Sequence, residues 1–193
     1  MFRGDFLFCL FLRRLYYNVN IMGNIFSFIG TLFGRGGKTT VDNSTVKSLD
    51  LERFMGRWYE IARYDHIFER GMSHVSAMYM MTESGKVLLT NEGVKNGRHK
   101  SIRGHAKQPD ASQPGKLKVA FFLWFYSDYY VMDIDPDYRY ALVGGSSDKY
   151  LWILSRDRVL KDDVRDELLG RLRTRGYDTD KLIFVEQGLV SDL

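Results

Sequence analysis

Cysteine and proline are scarce in this sequence of 193 residues. The single cysteine, Cys9, excludes an intramolecular disulfide and a cysteine-based zinc or iron–sulfur site. Only three prolines occur, and 45% apolar with 27% charged residues is the composition of an ordinary globular chain. The length predicts one domain with a core of its own.

Apolar runs long enough to span a bilayer are missing from the N-terminal part. Residues 6–12 are seven apolar residues followed by two arginines, whereas a transmembrane helix needs about 20. Residues 25–33 have the apolar stripe of a helix that could lie on a membrane surface. We predict that residues 1–46 are a leader or membrane-associating segment with a linker, starting at Met1 or Met22. Lipid attachment at Cys9 is not expected, because large side chains precede it.

Outside that segment there is almost no net positive charge. The net charge is +4, and residues 1–46 hold five Lys/Arg against two Asp/Glu. The remainder is therefore almost neutral. A nucleic-acid partner is not predicted, since that would need basic residues clustered on a folded face.

Catalytic and metal-binding motifs are absent as well. The four histidines occur singly, without the spacing of a metal site, and no G-x-S-x-G elbow is present. Gly144-Gly145-Ser146-Ser147 lacks the lysine and the helix of a phosphate loop, so we interpret it as a turn. The sequence predicts no catalytic residue, no metal ion and no cofactor.

Aromatic residues are abundant, at 15%, and favour a strand-rich fold with an apolar interior. Short strand-like runs recur between turn residues. They cover residues 57–64, 75–81, 87–92, 100–107, 116–123, 129–134, 139–144 and 150–156. An amphipathic helix follows at 161–175 and a last strand at 181–187. We predict an all-β domain over 47–193: an eight-stranded antiparallel up-and-down barrel with one helix packed outside.

Particular residues carry a family resemblance. Gly56-Arg57-Trp58 resembles the G-x-W signature of the first lipocalin strand, and Tyr150 to Arg156 resembles the last barrel strand with its arginine. With Phe68-Glu69-Arg70-Gly71, these stretches are similar to the bacterial outer-membrane lipocalins, the branch related to apolipoprotein D. The likeness runs from about residue 46 to 187. It departs at Asp135-Pro136-Asp137-Tyr138, where most lipocalins have Thr-Asp-Tyr.

The resemblance implies a function and a set of site residues. A small hydrophobic ligand, a fatty acid or a lysophospholipid, would be bound in the barrel for storage or transport at a membrane of the cell envelope. Gly56, Trp58 and Arg156 would be structural, with the arginine covering the tryptophan at the closed end. Tyr79, Asn91 and Trp152 would line the pocket. Strand alternation adds four further candidates: Glu60, Ala62, Phe121 and Tyr140.

Several alternatives stay open from the sequence. Glu60 could contact the ligand or be a satisfied interior carboxyl. The barrel could hold a tetrapyrrole or other pigment, carry an enzyme activity, or be packed shut as an interaction module. The aromatic run 121–126 could rim the mouth, touch a membrane or form a homodimer contact.

Overall fold

A closed ring of strands forms the body of the protein. The computed structural model describes residues 40–122 and 125–188. Within them lie α1 (Leu51–Phe54), β1 (Gly56–Tyr64), β2 (Met72–Met81), β3 (Val87–Lys95), β4 (Arg98–Lys107), β5 (Lys116–Ala120), β6 (Ser127–Ile134), β7 (Tyr140–Gly144), β8 (Leu151–Ser155), α2 (Asp162–Thr174), a 3-10 turn (Thr179–Lys181) and β9 (Leu182–Phe184).

The strand order shows how the ring closes. Strands β2 to β8 are neighbours in chain order, β1 lies beside β8, and β1 also pairs with β2. All these pairs are antiparallel, and β9 is added along β1 as an extra strand. The predicted eight-stranded antiparallel barrel, with its helix and ninth strand, is confirmed. The sequence analysis missed the short helix α1.

A bulge in β1 changes which side chains face inward. Trp58 and Glu60 face the interior, but the pairing with β8 shifts between Glu60 and Ala62. The bulge reverses the alternation. Ala62 therefore pairs with Ile153 and packs in the apolar cluster outside the barrel, while Arg63 turns inward. The prediction that Ala62 faces the interior is wrong.

Helix α2 covers one outer side of the barrel. Its Leu168 and Leu172 are buried against Leu142 and Ile153 from the outward faces of β7 and β8. Tyr140 belongs to this outer cluster, because the alternation along β7 points Ala141 and Val143 into the barrel. The prediction that Tyr140 lines the interior is therefore wrong. Burial of this apolar helix face is what fixes the helix against the wall.

The closed end of the barrel is built around Trp58. Its indole Nε1 donates to the carbonyl of Phe54 in α1 at 2.8 Å. The Arg156 guanidinium lies 3.8 Å from the Trp58 ring centroid and donates to the carbonyls of Arg57 and Met55 at 2.7 and 2.8 Å. These contacts join the last barrel strand, α1 and β1 into one plug. The covering of the tryptophan by the arginine matches the arrangement that the resemblance implied.

The C-terminal segment fills a gap in the wall. Beyond residue 59, β1 leaves β2 and pairs with β9 instead. The Gln187 side chain bridges the gap, donating to the carbonyls of Glu60 and Val75 at 2.8 and 2.7 Å. The wall of the barrel is thereby completed by residues distant in sequence.

At the other end of the chain, contacts with the barrel begin before residue 47. The Asp42 amide donates to the Arg175 carbonyl, and the Val46 amide donates to the Val131 carbonyl. Val41 packs in the outer cluster. The barrel's packing therefore includes residues 41–46, which the sequence analysis placed in a linker. The predictions for Cys9, for Met22 and for the helix at 25–33 lie outside the described residues.

Candidate functional site

The inward face of the barrel brings together most of the predicted site residues. Cross-strand partners share a face of a sheet, so the pairing identifies inward neighbours. Trp58 pairs with Ala77, which pairs with Asn91, and Arg63 pairs with Trp152. Tyr79, Trp152 and Phe121 pack in or against the interior apolar cluster. Of the seven predicted ligand contacts, Glu60, Tyr79, Asn91, Phe121 and Trp152 are on this face.

The interior apolar cluster, which includes Trp58 at the closed end, forms what we call the lower wall of the barrel. A void of about 10 Å³ lies there, beside Phe54 and Tyr79. A space of that size holds about one water molecule. The buried members of the cluster are Phe54, Trp58, Ala77, Tyr79, Val87, Leu89, Ala106, Leu117, Val119, Val131, Ala141, Val143 and Leu154.

A buried ion pair lies above this wall. Arg63 is 1% exposed and Glu60 is 4% exposed. The Arg63 Nη1 donates to Glu60 Oε1 at 2.6 Å, and its Nη2 donates to the backbone carbonyls of Glu69 and Met72 at 2.6 and 3.3 Å. A cation at this depth needs such partners, because desolvation of an unpaired charge is costly. Arg63 thereby ties β1 to both ends of the loop that leads to β2.

A second carboxyl, that of Glu69, reaches into the barrel from the β1–β2 loop. Its Oε2 lies 2.8 Å from Nε2 of His66 and accepts from the Trp152 indole Nε1 at 3.2 Å. The His66 ring packs edge-on to the Trp152 ring, with centroids 5.3 Å apart, and also contacts Tyr150. Trp152, predicted as an apolar wall, thus also acts as a polar donor.

The two carboxyls influence each other's protonation. Burial raises the pKa of Glu60, and the negative charge of Glu69 raises it further, although Arg63 opposes both. Burial alone would also raise the pKa of Glu69, but the contacts with His66, Trp152 and Arg63 prevail and lower it. Of the two carboxyls, Glu69 is therefore the more readily ionised and Glu60 the more readily protonated.

Two tyrosines and an amide complete the polar groups of the interior. The Tyr79 hydroxyl donates to the Tyr129 hydroxyl at 3.0 Å. Burial raises the pKa of Tyr79 to about 12 and also raises that of Tyr129, so both stay protonated at neutral pH. Asn91 Oδ1 is buried and accepts no hydrogen bond within the described residues. A buried acceptor of this kind can receive a hydrogen bond from a ligand or a water.

The sequence analysis did not find four of these residues. Arg63 was hidden by the bulge, which no sequence signal marked. His66 and Glu69 belong to a loop, and their inward direction depends on how that loop folds. Alternation along β6 is the signal that places Tyr129 inside: it pairs with Leu117, whose side chain lies in the interior cluster.

The aromatic run 121–126 divides between several environments. Phe121 packs against the interior cluster, and the rings of Phe122 and Phe125 stack with centroids 6.4 Å apart. The Tyr126 hydroxyl lies 2.8 Å from Nε2 of His105, and Lys107 lies over its ring. Residues 123 and 124 lie outside the described residues. A homodimer contact through this run stays a prediction.

The described residues contain neither a metal-binding cluster nor a membrane-spanning helix. No group of three or more His, Cys, Asp and Glu side chains there is placed to hold a metal ion. None of the helices in the described ranges is both long enough and apolar enough to cross a membrane.

Comparison with known proteins assigns this architecture to a family. The sequence matches the Lipocalin-like domain over residues 49–187. The chain belongs to the lipocalin family. Among its relatives, the outer membrane lipoprotein Blc of Escherichia coli K12 is 40% identical over 146 residues, which cover 75% of this chain and 82% of Blc. Apolipoprotein D of Cavia porcellus is 31% identical over 155 residues, covering 76% and 81% of the two chains.

A solved structure supports the same assignment. Insecticyanin of the tobacco hornworm Manduca sexta aligns with a TM-score of 0.63 at 26% identity, covering 74% of this lipocalin and 83% of insecticyanin. The resemblance to lipocalins related to Blc and apolipoprotein D is thus confirmed. Binding of small hydrophobic molecules is typical of the family, whose members are generally binding proteins rather than enzymes.

Proposed function

We propose that this lipocalin binds a fatty acid or a lysophospholipid inside its barrel and stores or carries it at a membrane. Membership of the family supports a binding role, and the interior supports the chemistry of the ligand. One observation carries the proposal: an apolar lower wall meets a compact group of buried charged and polar side chains on the same inward face. An amphiphile with one long apolar part and one small polar part matches that division.

The energetics favour a chain-like ligand. Each CH₂ group buried in an apolar cavity contributes about 0.8 kcal/mol. The buried Asn91 Oδ1 and the indole of Trp152 supply an acceptor and a donor that could fix a polar group. A neutral hydrocarbon would gain nothing from these groups.

The location proposed is a membrane of the cell envelope. It rests on the names of relatives such as Blc, an outer membrane lipoprotein. Residues 1–46 would bring the barrel to the membrane surface. That part of the proposal rests on the apolar stripe of residues 25–33.

Native mass spectrometry of the protein purified from its own host tests the proposal. The expected spectrum contains adducts with the masses of fatty acids or lysophospholipids, and organic extraction releases them. The proposal fails if no lipid-sized adduct appears and added fatty acids and lysophospholipids do not bind. An extract that absorbs visible light and lacks lipid would identify a pigment instead. The same spectrum reports whether two copies associate.

A further inference from the structure

The β1–β2 loop, residues 65–71, places two polar side chains inside the barrel. The side chains of His66 and Glu69 are only 9% and 13% exposed, whereas Ile67 and Phe68 between them are 63% and 41% exposed as residues. The loop therefore directs its charged carboxylate inward and leaves apolar side chains at the surface. This is the reverse of what hydration alone would favour.

Two donors, a cation and a second carboxyl surround the Glu69 carboxylate. Trp152 donates to it at 3.2 Å, His66 Nε2 lies 2.8 Å away, and the Arg63 charge attracts it. A neutral imidazole can donate from Nε2. The second carboxyl is that of Glu60, which interacts with both Arg63 and Glu69. The donors and the cation form an anion-binding arrangement that the protein's own carboxylate fills.

Two carboxyls share one buried cation at this site. Arg63 Nη1 donates to Glu60 Oε1 at 2.6 Å, while the Glu69 carboxylate accepts from Trp152 and lies beside His66. Because the pKa of Glu60 is raised and that of Glu69 is lowered, Glu69 is the more readily ionised of the two. Removing the Glu69 side chain without replacement would leave the Trp152 indole without its acceptor and would remove a negative charge near Arg63 inside a desolvated site, which is costly.

The small free volume at the base of the barrel also supports displacement of side chains by a ligand. The void at the base, about 10 Å³, is far too small for an acyl chain. An acyl chain that reaches this base must therefore displace the side chains around the void. His66 and Glu69 are interior side chains carried by the β1–β2 loop, and that loop ends at Gly71, whose φ is +72°. The strand-borne residues Arg63 and Trp152 stay behind when the loop withdraws.

We propose that Glu69 occupies the head-group position of the ligand, and that the carboxylate of a fatty acid takes its place on Trp152 and Arg63 when the loop withdraws. The inference rests on the proposed lipid binding and narrows it to ligands with a single negative charge at the head. An alcohol or an ester of the same chain length would displace Glu69 without replacing its charge.

Dodecanoic acid and 1-dodecanol are matched probes for this idea. Their affinities at pH 7 are measured for the wild type, for Glu69→Ala and for Asp65→Asn. The last variant is the control, because Asp65 is an exposed carboxylate on the same loop and is paired with Arg70. The wild type is expected to bind the acid more tightly than the alcohol. Glu69→Ala is expected to bind the acid about tenfold more tightly than the wild type, since no internal hydrogen bond has to be broken. Asp65→Asn should stay within about twofold of the wild type.

A spectroscopic measurement shows whether the ligand carboxylate replaces that of Glu69 on Trp152 or whether removal of Glu69 only makes room for a ligand. The indole N–H resonance of Trp152, assigned with Trp152→Phe, should move upfield in Glu69→Ala because its carboxylate partner is gone. Adding dodecanoic acid should move it back, and adding 1-dodecanol should not. If Glu69→Ala folds poorly, Glu69→Gln keeps the volume and should show a smaller gain in acid affinity.

The outcomes separate the two proposals. If the wild type and all variants bind neither the acid nor the alcohol, the proposed lipid binding fails and this inference falls with it. If lipid binding is intact but Glu69→Ala binds the acid no more tightly, or if 1-dodecanol restores the indole resonance equally well, the inference alone is overturned.

Discussion

Replacing Arg156 tests the plug at the closed end of the barrel. Its guanidinium makes three short hydrogen bonds, to the carbonyls of Arg53, Met55 and Arg57 at 2.7 to 2.8 Å, and lies over Trp58. A hydrogen bond from a charged donor contributes about 1.5–3 kcal/mol net, and a cation–π contact about 0.5–1 kcal/mol at an exposed site. Because the group is partly exposed, we expect the whole set to contribute about 3 kcal/mol, well below the simple sum.

Urea unfolding followed by far-UV circular dichroism measures this loss. Arg156→Ala should lower the free energy of unfolding by about 3 kcal/mol. Arg156→Lys should recover only a small part, because an ammonium group cannot reach three carbonyls in a planar fork. Arg165→Ala is the matched control, since its ion pairs with Asp162 and Asp166 lie on the outer face of helix α2. A loss below about 1 kcal/mol, or one no larger than in the control, would refute the account of the plug.

Three further predictions concern the interior, the glycines and pH. Trp152→Ala should weaken binding of dodecanoic acid about tenfold and lower the free energy of unfolding by less than Trp58→Ala, which should cost about 3–5 kcal/mol in urea unfolding; equal stability losses would contradict this division of roles. Gly104→Ala should destabilise the barrel by about 1–3 kcal/mol, because its Cβ would lie 2.5 Å from a backbone carbonyl oxygen. Gly170→Ala in helix α2 should stabilise the protein by about 0.5–1 kcal/mol, because its Cβ would meet nothing within 4 Å. A melting temperature that moves in the opposite direction would disprove the prediction for that glycine. The pKa of Glu60 is raised in the folded protein, so the folded state binds this proton more tightly than the unfolded state does. The resulting stabilisation is fully present below the pKa of the unfolded state and is lost as the pH rises through the pKa of the folded state. The stability of the wild type relative to Glu60→Gln should therefore fall as the pH rises above the ordinary carboxyl value of 4.5 in urea titrations, and a constant or rising difference would contradict the assignment.

Much of the barrel could be predicted from sequence because its strands follow simple rules. Alternation in β1 placed Trp58 and Glu60 on one face, and turn residues separated the strands. The pattern of helix α2 placed Leu168 and Leu172 on the buried side, and Gly176 ends the helix with φ +83°. These features depend on residues that are close together in the chain, so they can be predicted from the sequence.

The errors arose where the structure depends on contacts between distant segments. The bulge after Glu60 moved Ala62 outward, and the phase of alternation in β7 moved Tyr140 outward. Alternation gives two faces but does not say which one is inward. That choice is made by packing against helix α2, which the sequence places only roughly.

The polar part of the candidate site was the least predictable. An arginine on a strand is ordinarily exposed, yet Arg63 is 1% exposed because Glu60 and two loop carbonyls surround it. Glu69 was quoted only as part of a family motif. Its inward position follows from the fold of the β1–β2 loop, which has no periodic pattern.

Photo-crosslinking with a fatty acid that carries a diazirine on its chain tests the central claim most directly. After irradiation and peptide mapping, we expect the label on inward-facing positions of β2, β3 and β8, at Tyr79, Asn91 and Trp152, and we expect excess dodecanoic acid to prevent it. Label confined to outward-facing side chains such as Met80 and Leu88, or label that dodecanoic acid does not reduce, would contradict binding inside the barrel.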